Sequence, residues 1–165
     1  MNNLLKTPLV LHTRRNHALE HATIHLLSAR FPDRPLAGHS NPTGFFIIGD
    51  IPTEHIRQAV TEALTRLQNG ERRLAIHPGC GTNYALSGGL AAWFAFFAMS
   101  GTRTDRERWE RLPIVAVFAV LAFLIGQRLG PGLQNSVTTE PEPGELTIVD
   151  IYPLSRTVHR IITRS

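Results

Sequence analysis

The chain has 165 residues, room for one domain and too few for two comfortable ones. Hydrophobic residues make up 42% and charged residues 18%, which excludes a disordered chain, a collagen-like repeat and a long charged coiled coil. Lys plus Arg number 17 against 13 Asp plus Glu, a formal net charge of +4. The bases are scattered, with no run longer than Arg14-Arg15 or Arg72-Arg73, so no nucleic-acid partner is expected. A mild basic excess suits a protein lying beside an anionic membrane surface. The one cysteine, Cys80, excludes an internal disulfide.

Residues 1–83 read as a small cytoplasmic α/β unit. Residues 12–30 predict a helix, with no Gly or Pro before Pro32 to stop it. Residues 31–43 carry three Pro, a Gly and an Asn and predict a loop. Residues 44–49 (GFFIIG) predict a short buried strand. Residues 53–69 predict a helix capped by Thr53 and stopped by Gly70, with Ile56, Val60, Ala63, Leu64 and Leu67 on one face. Residues 72–76 are a second candidate strand.

Residues 84–130 contain two uncharged apolar blocks, 84–101 and 112–127. As helices they would measure about 27 and 24 Å, short against a hydrocarbon core of about 30 Å, and neither has a polar face. The soluble alternative is a pair of buried helices, but a domain this small could hardly wrap two of them. A two-helix transmembrane hairpin is therefore expected, with the lipid bilayer as partner. Its charged loop, 102–111, includes Trp109, a residue suited to the membrane–water interface. A polar region without a signal-peptide pattern comes first, which places both termini in the cytoplasm. The Arg distribution does not support that orientation: Arg103, Arg106, Arg108 and Arg111 lie in the loop, against Arg72, Arg73 and Arg128 on the other side. Residues 131–144 read as a Pro/Gly-rich linker, and residues 145–165 as two strands, 145–152 and 157–163, packing back on the first unit. The expected fold is an α/β membrane protein in which the hairpin interrupts the α/β unit.

Chemistry concentrates in two motifs. His17-Ala-Leu-Glu20-His21 is an H-x-x-E-H pattern on the first helix. Two His four apart project from one helix face and can share a metal ion. Glu20 lies about 60° round the helix from His17, where it can address the same ion or a water bound to it; in this order the Glu acts as general base. The alternative is a solvent-facing helix with His on its polar side. His25 continues the series but is rotated away, a neighbour rather than a ligand. The second motif, His77-Pro-Gly-Cys80-Gly-Thr-Asn83, precedes the first apolar block. Imidazole and thiolate both suit zinc, and Gly79 and Gly81 let the loop fold around an ion. The alternative is a plain turn into a helix with an incidental buried Cys. His39, in a polar loop, His55, in a first helical turn, and His159, on a strand face, are weaker candidates.

H-x-x-E-H followed by H-P-x-C-G-T just before an apolar block resembles the YqhQ-type bacterial membrane proteins, a group described as predicted metal-dependent enzymes. The likeness rests on His17, Glu20, His21, His77, Pro78, Cys80, Gly81 and Thr82. It departs at Gly79, where those proteins carry a basic residue, at Asn83, where they carry Ser, and in length. The resemblance implies a membrane protein and a metal, and supplies no substrate.

The reading so far is a zinc-dependent membrane hydrolase acting near the bilayer surface. His17, His21, His77 and Cys80 are the candidate metal ligands and Glu20 the candidate general base, with a small-molecule, peptide or lipid-derived substrate. The rival is a non-catalytic membrane protein whose His/Cys metal site is structural and serves binding or assembly.

Overall fold

The computed structural model describes residues 4–164. Two compact units make up the chain: one built from the segment up to His77 and the segment from Gln134 onward, the other from Pro78–Leu133.

In the first unit, helix α1 (Pro8–Arg30) begins four residues earlier than expected, because Pro8 at its first turn gives up no bond and already holds a helical φ. Ala18, Leu19, Ala22 and Leu27 are fully buried along it, and so are Asn16, Glu20, His21 and Thr23. The solvent-facing alternative for the H-x-x-E-H helix is thereby excluded, since His21 is 2% exposed. Polar groups inside need partners. Asn16 donates to the Asn41 carbonyl at 2.8 Å and accepts from the Thr163 hydroxyl at 2.6 Å.

Strands β1 (Ala37–Asn41), β2 (Gly44–Ile48), β3 (Thr147–Pro153) and β4 (Val158–Arg164) form one antiparallel sheet in the order β1-β2-β4-β3. The predicted loop 31–43 thus contains an edge strand. Pro35 and Pro42 bracket it and limit its pairing to five residues, from Ala37↔Ile48 to Asn41↔Gly44. Asn41 Oδ1 accepts from the Thr43 amide and closes the turn. Gly44 follows at φ 136°, where a Cβ would meet the Ile161 carbonyl oxygen at 2.0 Å. Phe45 and Ile47 of β2 and Ile161 of β4 bury their side chains against α1 and helix α2 (Thr53–Gln68).

α2 presents Ile56, Ala59, Val60, Ala63 and Leu67 to that core, with Leu64 only partly buried. Thr53 does not cap it. Pro52 occupies the cap position, and the Thr53 hydroxyl instead meets His159 Nε2 at 3.0 Å. Residues 72–76 do not form a strand either: Arg72–Ala75 is a 3₁₀ turn, closed by bonds from Leu74 to Glu71 and from Ile76 to Arg73. Arg-Arg-Leu-Ala lacks the β-branched residues that favour a strand.

The second unit pairs helix α3 (Gly81–Met99) with helix α4 (Asp105–Leu133). Cβ atoms built on Gly126 and Gly130 would fall 2.1 Å from Ser87 Oγ and Asn83 Oδ1. Small residues four apart on α4 therefore admit two polar side chains four apart on α3, in antiparallel order. Of the two expected membrane spans, one meets the requirement. The helix running from Asp105 to Thr138 is long and apolar enough to cross a membrane. α3 falls short because Thr82, Asn83 and Tyr84 fill its first turn and shorten its apolar stretch. The residues read as the start of a linker are helical: α4 continues through Pro131 to Leu133, and a π turn, Gln134–Thr138, follows.

Candidate metal centre

Helix ends leave carbonyls without partners, and in the first unit imidazoles fill them. His21 Nδ1 lies 2.8 Å from the Ala75 carbonyl, and His25 Nε2 2.8 Å from that of Ile76, both at the end of the 3₁₀ turn. His17 Nδ1 lies 3.0 Å from the Thr138 carbonyl, at the end of the π turn. A carbonyl oxygen only accepts, so each of these nitrogens carries the hydrogen. In the neutral ring Nε2 of His17 and of His21 is then the lone-pair nitrogen. An N–H fixed by a backbone carbonyl is the usual outer-shell arrangement of a metal-binding His.

His77 joins them. Ring centres are 4.2 Å apart for His17–His21, 5.8 Å for His21–His77 and 4.8 Å for His25–His77. Two imidazoles on one tetrahedral ion have centres roughly 5 Å apart, close to the His17–His21 spacing; His77 and His25 lie beside that pair but are not among the donors grouped closely enough to hold one ion. Burial, then the charges of His25 and His21, push His77 down to about 4 from its ordinary 6.5. At neutral pH it is uncharged, the form that binds metal. Its main chain is held on both sides by the buried Gln134: Oε1 accepts from the His77 amide at 2.9 Å, and Nε2 donates to the His77 carbonyl at 3.0 Å.

Glu20 leaves α1 toward β1. Its carboxylate accepts a hydrogen bond from the Ser40 hydroxyl and fills the space a Cβ on Gly38 would need. Burial raises its pKa, against the Ser40 hydrogen bond and the charges of His17 and His39, which lower it.

Cys80 belongs to the second unit, where it is buried and stands at the N-cap of α3, its sulfur accepting from the Thr82 amide at 3.4 Å. Asn83 Nδ2 ties the same loop by donating to the Pro78 carbonyl at 2.9 Å. His17 and His21 of the first unit offer ring nitrogens, and Cys80 of the second a thiol, each a donor type that suits a metal ion. Of the weaker candidates, His39 is exposed on β1, His55 is exposed beside Phe31, and His159 is buried in β4. The sequence reading missed Gln134, Ser40 and Gly38. Ser40 alternates with Gly38 on β1, a signal hidden once that segment reads as a loop; nothing local marks Gln134.

A family model described as "Domain of unknown function (DUF6391)" matches residues 12–151, a span that includes His17, Glu20, His21, His77, Cys80 and Gln134 but not His159. An uncharacterised protein of Picosynechococcus sp. is 34% identical over 143 residues, covering 79% of this chain and 67% of its own length. No solved structure matches the chain.

Proposed function

Because the chain belongs to the DUF6391 family, whose own description assigns no function, we propose from the site's geometry that it is a metal-dependent membrane protein, with zinc held by His17, His21, His77 and Cys80. One observation carries this reading: the Nδ1 atoms of His17 and His21 are both committed to helix-terminal carbonyls, which turns a pair of lone-pair nitrogens from one helix toward a common ligand. Cys80, three residues after His77 across a Pro/Gly turn, supplies the thiolate in the proposal.

The activity that fits is hydrolysis close to the bilayer. The ion would supply Lewis acidity and a water ionising near neutral pH, and Glu20, steadied by Ser40, would accept the proton. The substrate class proposed is a peptide or a lipid-derived molecule. The engagement of Glu20 with Ser40 and Gly38 on β1 also favours a second reading, a structural metal site serving binding or assembly.

The apolar α4 helix supports the membrane assignment, and, given that assignment, the sheet topology favours a hairpin. β2 pairs with β4, so segments before and after the second unit share one sheet. A chain that leaves that sheet and returns to it crosses a bilayer an even number of times. If α4 spans, α3 spans with it, and both termini lie on one side, assigned here to the cytoplasm.

Elemental analysis of the detergent-purified chain tests the metal. About one zinc per chain is expected, lost in His21→Ala, lowered in Cys80→Ser and retained in Glu20→Gln. Turnover of a peptide and phospholipid panel by the parent, abolished in Glu20→Gln, supports the hydrolase; bound zinc with no turnover favours the structural site. A parent that binds no zinc contradicts both.

A further inference from the structure

The amide side chain of Gln134 is fully buried, and both its polar atoms meet the main chain of His77. That two-point grip copies the exchange of N–H···O bonds between paired strands. The loop needs it: Pro78 has no amide hydrogen, and glycine at 79 leaves the backbone free to turn. Gln134 is itself anchored. Its carbonyl accepts from both the amide and the hydroxyl of Thr139 at 2.9 Å, and the Thr139 carbonyl accepts from Arg14 Nη2 at 2.9 Å. Arg14 lies one helical turn before His17 on α1. A continuous run of hydrogen bonds thus joins the two sources of the proposed ligands, α1 and the H-P-G-C loop, and Gln134 is its link to the loop.

We infer that Gln134 is a positioning residue for the metal centre, fixing the His77 main chain so that the loop presents His77 and Cys80 in one direction. The inference rests on the metal reading above. It requires an amide, because only an amide offers an acceptor to the His77 N–H and a donor to its carbonyl. Glutamate keeps the first bond and faces the carbonyl with a like partial charge. Gln134 opens the π turn, Gln134–Thr138, whose last carbonyl meets His17.

The test is zinc affinity of the detergent-solubilised full chain, by competition with a chromogenic chelator. Gln134→Ala and Gln134→Glu are each expected to bind zinc about 10- to 100-fold more weakly than the parent, the range for loss of an outer-shell partner. Repeating both in a His77→Ala/Cys80→Ser background separates positioning from packing. With no loop donor left to aim, the substitutions should change the residual affinity by less than about twofold. Parent-like affinity in both variants, or the same fold-loss in the double background, overturns the inference. Should Gln134→Ala not fold, the near-isosteric Gln134→Glu carries the comparison. A parent without zinc overturns the metal reading first and this inference with it, whereas normal zinc in both Gln134 variants overturns this inference alone.

Discussion

Phe45 on β2 is fully buried, while Phe96 on α3 is 69% exposed, and that contrast separates the two units. The first turns apolar side chains inward and leaves α2 with a polar outer face. The second does the reverse. Trp93, Phe96 and Phe97 on α3, and Val117, Val120, Phe123, Leu124 and Leu129 on α4, point outward, while the buried side of the pair holds Asn83, Ser87, Ala122, Gly126 and Gly130. Only 11% of the apolar window of the α4 helix is buried. In water such an arrangement would leave a large apolar patch to aggregate; in lipid it is the ordinary one, with small and polar groups between helices and large apolar ones outside.

Paired substitutions test that contrast most sharply. Phe45→Ala should destabilise the first unit by about 3–5 kcal/mol, whereas Phe96→Ala should stay within about 0.5 kcal/mol in detergent; thermal unfolding of the two variants side by side checks it. Equal losses would erase the distinction. Val120→Arg, at a position 60% exposed, should cost about 2.5–3.5 kcal/mol of insertion and move the chain out of the membrane fraction. If the helix pair is soluble, the same change improves solubility and leaves partitioning untouched. Gly130→Ala should destabilise the pair by about 1–3 kcal/mol, because the new Cβ collides with Asn83. At an unpacked helical glycine the sign reverses, to a gain of about 1 kcal/mol, and a melt in detergent reads that sign. The smallest effect concerns pH. His77 titrates near 6.5 when unfolded and about 4 when folded, so in that window the unfolded chain holds the extra proton. The metal-free protein should keep this contribution above pH 6.5 and lose it as pH falls toward about 4. His77→Gln should flatten that part of the stability profile relative to the parent.

Periodicity and punctuation made much of the fold legible in advance. The helix over 12–30, the strand over 44–49, the apolar face of the helix from Thr53 and the two closing strands all correspond to observed elements. Segments whose structure depends on distant partners were not legible. Ala37–Asn41 is a strand only because β2 lies alongside it. The Arg72–Ala75 turn is fixed where its terminal carbonyls receive His21 and His25, 54 and 51 residues away in sequence. The Thr53 hydroxyl went to His159, 106 residues away, instead of to its own helix. At the site, spacing is what singles out His17, His21, His77 and Cys80 as candidates, because i,i+4 and H-x-x-C carry their own geometry. Gln134 could not be found this way, since its role depends on a main-chain pairing across 57 residues.

X-ray absorption at the zinc edge, on the purified chain loaded with one equivalent of zinc, tests the central claim most directly. The account predicts a shell of imidazole nitrogens at about 2.0–2.1 Å with one sulfur at about 2.3 Å. Cys80→Ser should remove the sulfur, and His21→Ala the ordered shell. A shell of light atoms alone, unchanged by either substitution, would contradict it and reduce the His/Cys constellation to a packing feature of the fold.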